Sequence, residues 1–131
     1  MKILMKCTLR FLVNRFYKKE DGTIPVREFL DGLNVKMEAK VARAIAILSE
    51  KGNELREPTS KSLSDGIFEL RVRVGTDISR VLYFFMINQK IVLTHGFIKK
   101  TEKTPPLEIE RAKSYREDYL RRNIDDGSNI R

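Results

Sequence analysis

Apolar and polar positions alternate most clearly from Ile67 to Val74, where Phe68, Leu70, Val72 and Val74 interleave with Glu69, Arg71 and Arg73. A period of two predicts a strand with one face buried and the other wet, so the two arginines point the same way. After the turn signal Gly75-Thr76-Asp77, Arg80 opens residues 81–86 (VLYFFM), which are apolar at every position. Such a run predicts a central strand covered on both faces. Asn88-Gln89 is a hairpin turn into a third strand, residues 90–98. That strand runs into a polar, basic loop, Lys99-Lys100-Thr101-Glu102-Lys103-Thr104, closed by Pro105-Pro106.

Elsewhere the pattern predicts one strand and three helices. Residues 8–17 (TLRFLVNRFY) are rich in β-branched and aromatic side chains and form a first strand, ended by the cluster Lys18-Lys19-Glu20-Asp21-Gly22. The period then lengthens. Pro25 suits a first helical position and Gly32 ends a short helix, Pro25–Asp31. Asn34 caps a second helix that sets Met37, Val41, Ala44, Ile45 and Leu48 on one stripe and stops at Gly52. The polar residues 53–65 (NELREPTSKSLSD) read as a loop, too short for a domain linker. Thr104 is placed to cap a last helix with Pro105 at its first position, and Ile109, Ala112, Tyr115 and Tyr119 fall along one face. Residues 124–131 are expected to fray. The prediction is an α+β fold in one domain, 1–131, in the order β-α-α-β-β-β-α, with an antiparallel-rich sheet packed on helices.

Composition supports a globular chain: 41% of residues are hydrophobic and 34% charged, against disorder as the main state. The opening MKILMKCTLRFLV is interrupted by Lys6 and Arg10 and precedes no small-residue cleavage site, so a cytoplasmic protein without a membrane span is expected. One cysteine, Cys7, and one histidine, His95, cannot build a disulfide or a Cys/His zinc site within the chain. No metal or cofactor is expected. The net charge of +8 is uneven: residues 1–19 carry +6 and residues 66–104 carry +4, whereas 20–65 carry −2 and 105–131 balance. A basic sheet region fits either polyanion binding or a merely solvated surface.

Three blocks carry a resemblance: residues 63–72 (LSDGIFELRV), 80–85 (RVLYFF), and 95–101 (HGFIKKT) followed by Lys103-Thr104-Pro105. In this order, and with the predicted element order, the chain resembles the RelE/ParE superfamily of bacterial toxins, more narrowly its HigB-like, phage Gp49-related branch. The resemblance implies a toxin of a two-gene type II module that cleaves messenger RNA, commonly in the ribosomal A site, and is neutralised by a helix-turn-helix antitoxin. It also implies a catalytic set. Arg71, Arg73 and Arg80 match the basic positions of RelE-like nucleases in order and spacing, and Lys99 or Lys100 matches a later one. A tyrosine found beyond that point in RelE has no counterpart here, because Thr104-Pro105 occupies its neighbourhood. A ParE-like gyrase inhibitor and a binding module that never cuts are the alternative readings.

Cleaving RNA without metal needs a proton acceptor for the 2′-hydroxyl, cations for the phosphorane and an acid for the leaving oxygen. Arginine suits the second role through its planar, permanently charged fork. Arg80, at the mouth of the central strand, is expected to be exposed and to converge with Arg71 and Arg73 on one phosphate. His95 is the obvious acid or base by its unperturbed pKa. Its strand parity groups it with Ile91, Leu93 and Phe97, however, and a structural histidine is the preferred reading. Tyr83 could stack on a base or pack against a helix, packing being preferred. Lys18, Lys19 and Lys103 are candidate RNA contacts.

Overall fold

The computed structural model describes residues 13–87 and 89–122. Five strands, β1 (Val13–Phe16), β2 (Ser60–Ser64), β3 (Ile67–Val74), β4 (Asp77–Met86) and β5 (Lys90–Lys99), form one sheet in the order β1-β5-β4-β3-β2. β1 runs parallel to β5, and the other pairs are antiparallel. The helices are α1 (Pro25–Asp31), α2 (Val35–Lys51) and α3 (Pro106–Arg122), with a 3-10 turn, Gly52–Glu54, after α2. The fold is the expected α+β arrangement. The first part of the expected strand 8–17, the turn residue Asn88 and the tail 124–131 lie outside the described residues.

Local sequence accounts for most element ends. Pro25 opens α1, and the Asn34 side chain accepts a hydrogen bond of 2.8 Å from the Met37 amide at the start of α2. Gly52 ends α2 at φ +56°, a conformation that costs glycine little. At α3 the expectation shifts by one residue. Pro106 is the first helical residue, the amides of Glu108 and Ile109 turn back to the Pro105 carbonyl, and the Thr104 hydroxyl is turned instead toward the carboxylate of Glu69.

The loop expected over 53–65 contains a strand. β2 pairs with β3 through the two-residue turn Asp65-Gly66, both at positive φ (+52° and +78°), the geometry of the tight turns that best match strand twist. SKSLS lacks apolar alternation because β2 is an edge strand, half in solvent. Asp-Gly was the available signal.

Every residue of β4 from Ile78 to Met86 is buried, as a central strand requires. On one face α1 and α2 cover Leu70, Val81, Tyr83, Phe85, Ile91 and Leu93 with the stripe Met37, Val41, Ala44, Ile45 and Leu48. On the other, α3 lays Ala112 and Tyr119 over Ile67, Leu82, Phe84, Met86 and Val92. Burying a Leu or Phe side chain contributes about 1.5–3 kcal/mol, so these two layers hold the sheet between the helices. α1 comes closest at Gly96, where the ring of Phe29 occupies the space a Cβ would need.

Candidate functional site

Register decides which side chains can meet. Across β3, β4 and β5 three successive rows share the face that α3 covers in part: Glu69, Leu82 and His95; Arg71, Arg80 and Phe97; Arg73, Ile78 and Lys99. The expected common direction of Arg71 and Arg73 is therefore found, with Arg80 and Lys99 on the same face. α3 covers the end of this face that carries Leu82 and Phe84. Over the arginine rows the chain leaving β5 folds back instead, bringing Glu102 and Thr104 onto them.

Arg80 corrects the expectation of an exposed strand-end residue. It is completely buried, as is Glu69, and lies opposite Arg71 in the register. Its Nη1 stands 3.9 Å from Glu69 Oε2 and donates to Thr104 Oγ1 at 3.5 Å, while the Thr104 hydroxyl donates to Glu69. Nε and Nη2 have no partner among the described residues. Burial pulls the Arg80 pKa down, and the Glu69 carboxylate offsets part of that pull. The group stays a cation, since arginine is not deprotonated in proteins. A buried, unevenly satisfied cation of this kind is held by its anionic partner and is not offered to a ligand.

Arg71 and Arg73 do reach solvent. Arg71, 15% exposed, donates through Nε to Glu69 Oε1 at 2.6 Å, which turns its two terminal nitrogens outward. There Nη1 meets Glu102 Oε1 at 3.0 Å and Nη2 donates to the Glu102 carbonyl oxygen. Arg73, 55% exposed, donates from Nη2 to Glu102 Oε2 at 2.7 Å. One carboxylate thus takes an arginine on each oxygen. Hydrogen bonding from Arg73, with the field of both guanidinium groups, holds the Glu102 carboxyl below the usual carboxylate range. Arg71, Arg73 and Glu102 line a groove of about 280 Å³ with Pro58, Thr59 and Ile78. Sequence reasoning missed both carboxylates. Glu69 was legible only as a polar position of β3, and Glu102 only as a loop residue.

The remaining candidates separate. Lys99, Lys100 and Lys103 are exposed, and Lys100 is tied to Asp77 Oδ1 at 2.6 Å. His95 does not share a face with Ile91 and Leu93: the register shift between Leu82 and Tyr83 leaves Thr94 as an extra residue and moves His95 and Phe97 to the α3 side. It is 4% exposed, with Nε2 donating to Glu108 Oε1 at 2.9 Å and Tyr115 edge-on to its ring. Burial lowers its pKa, and the bond to Glu108 counters in part. The geometry is that of a tie between β5 and α3 and leaves the ring no route to a substrate. Tyr83 is also closed to a base. It packs beside Phe68 and Phe85 and bonds to Ser60, and burial pushes its hydroxyl up to about 12.

Lys18 and Lys19 lie against α3, away from the arginines: the Lys18 carbonyl accepts from Arg122, and the Lys19 ammonium sits 5.8 Å from the Tyr115 ring centre. A larger cleft, about 780 Å³, opens here, but its lining carries more acid than base, Glu20, Asp21, Glu117 and Asp118 against Lys19 and Arg121, and Tyr17, Arg121 and Arg122 all bond to Asp118. In the smaller groove, by contrast, Arg71 and Arg73 reach solvent on one face. Among the described residues no cluster of three His, Cys, Asp or Glu is placed to hold a metal, and no helix is long and apolar enough to cross a membrane.

A search of curated proteins found none that matches the chain. The family comparison matched residues 28–117, from α1 to the middle of α3 and including the whole arginine face. On that match the chain belongs to the family of phage-derived Gp49-like proteins (DUF891), which is related to the RelE-type toxins of toxin–antitoxin modules.

Proposed function

We propose that this protein is the toxin of a type II toxin–antitoxin module and cuts messenger RNA, with Arg71 and Arg73 binding the scissile phosphate. The observation that carries the reading is the pair of outward forks converging on a single anion, the carboxylate of Glu102. A phosphodiester offers two non-bridging oxygens in the same role, and bidentate guanidinium contacts strengthen as charge builds on them in the phosphorane. Arginine cannot accept the proton of the 2′-hydroxyl, so as the 2′-oxygen bonds to phosphorus that proton passes to solvent water in the open groove. Lys99, exposed on the same face, is the group suited to protonate the leaving 5′-oxygen. The single cysteine and single histidine favour chemistry without a transition metal. In this reading Arg80 and Glu69 support the site from below.

The protein acts in the cytoplasm, most effectively on messages held by the ribosome, and its partner is a helix-turn-helix antitoxin whose complementary charge covers the arginine groove. The test is expression without a partner, following incorporation of labelled amino acid and thymidine and mapping message ends by primer extension. Early loss of translation with new 5′ ends is expected. If DNA synthesis stops first while messages stay intact, the protein is a gyrase inhibitor of the ParE kind and the nuclease reading fails.

A further inference from the structure

We propose that the carboxylate of Glu102 occupies the seat of a substrate phosphate, and that RNA binds by exchanging places with it. The proposal rests on the phosphate-binding reading of Arg71 and Arg73 and adds how that site is kept closed. Glu102 is a single negative charge whose two oxygens are taken by two different arginines, at 3.0 and 2.7 Å. A phosphodiester carries the same charge on the same number of free oxygens, so the two anions compete for the same donors.

Exposure decides which carboxylate yields. Glu69 is fully buried against Arg71 and Arg80, where loss of a partner is costly, and it stays in place. Glu102 is 68% exposed, its Arg73 partner 55%, and pairs in that setting are weak. The strap that carries it is held by contacts that do not use the Glu102 side chain, Arg71 Nη2 to the Glu102 carbonyl oxygen and the buried Thr104 hydroxyl to Glu69. Glu102 can therefore swing out without releasing the loop. Being tethered, it competes well against a lone phosphate ion. A polynucleotide adds further phosphates that reach Lys99 and Lys103, both exposed beside the seat, and so displaces it.

The experiment is binding of inorganic phosphate and of a short 2′-O-methyl oligoribonucleotide, which lacks the attacking hydroxyl. Wild type, Glu102→Gln and Glu117→Gln are compared; the last removes the same charge from an exposed position on α3. Glu102→Gln is expected to bind both probes about fivefold more tightly, with Glu117→Gln like wild type. Binding by Glu102→Gln at or below the wild-type level, or equal tightening by Glu117→Gln, overturns the exchange. Failure of both wild type and Glu102→Gln to bind the oligoribonucleotide overturns the seat itself. Tighter binding by Glu102→Gln in a protein that never cuts RNA supports the exchange and removes only the nuclease reading.

Discussion

Arg71 and Arg80 stand opposite each other across β3 and β4 on one face of the sheet, yet only Arg71 reaches solvent. Both hold the same buried carboxylate, Glu69, from different sides. The pair divides the labour of the face: Arg80 fixes Glu69, and Glu69 grips Arg71 by Nε so that the fork points outward. The consequences for substitution differ at each residue.

Arg80→Ala should unfold or loosen the protein before it says anything about catalysis. It leaves Glu69 with one cation fewer and opens a buried cavity, an expected cost of about 3–5 kcal/mol. Urea denaturation measures it. A double variant, Arg80→Met with Glu69→Met, should recover part of the loss, because no uncompensated charge then remains. A stability equal to wild type for Arg80→Ala would show that the buried pair contributes nothing.

Arg73→Ala should do the reverse. The side chain is 55% exposed and among the described residues pairs with Glu102 alone, so stability should change by no more than about 0.5 kcal/mol. Affinity for a short oligoribonucleotide should fall, and the slope of log affinity against log salt should become shallower by about 0.7 for one lost phosphate contact on a single strand. Fluorescence anisotropy across a salt series checks both. An unchanged slope would remove Arg73 from the binding face.

His95 makes stability depend on pH. Its folded-state pKa lies below the ordinary histidine value because burial disfavours the imidazolium, so the unfolded chain binds the proton more readily. Its contribution is complete above the unfolded pKa, about 6.5, and is lost as pH falls through the depressed folded value. Thermal melts of wild type and His95→Gln between pH 7.5 and 5.0 should show a steeper fall for wild type on the acid side. Parallel curves would mean that His95 titrates alike in both states.

Gly96→Ala tests the packing of α1 on β5. The new methyl would overlap the Phe29 ring, and forcing that ring aside should cost about 1–3 kcal/mol. Phe29→Ala in the same chain should make room and reduce the penalty of the alanine at position 96, which a double-mutant cycle by denaturation would reveal.

What the sequence by itself determined is what short-range rules govern. Pro25 and Asn34 set the helix starts, Gly52 the stop of α2, and the apolar run of β4 made it the covered strand. Strand period alone put Arg71 and Arg73 on one side, and the blocks around them pointed to the family that residues 28–117 match. The tertiary structure decided the rest, because it depends on what lies across the sheet or folds back from far along the chain. SKSLS becomes a strand only by pairing with β3, and its own polarity gives no hint of that. His95 changes face because β5 carries one residue more than β4 opposite it, a count that belongs to the pair and not to either strand. Arg80 is buried, and Arg71 and Arg73 are engaged, because residues 102–104 return over strands some thirty positions earlier. Loop closure of that kind is settled by the anions the loop carries and the cations it finds, and neither is visible in local periodicity.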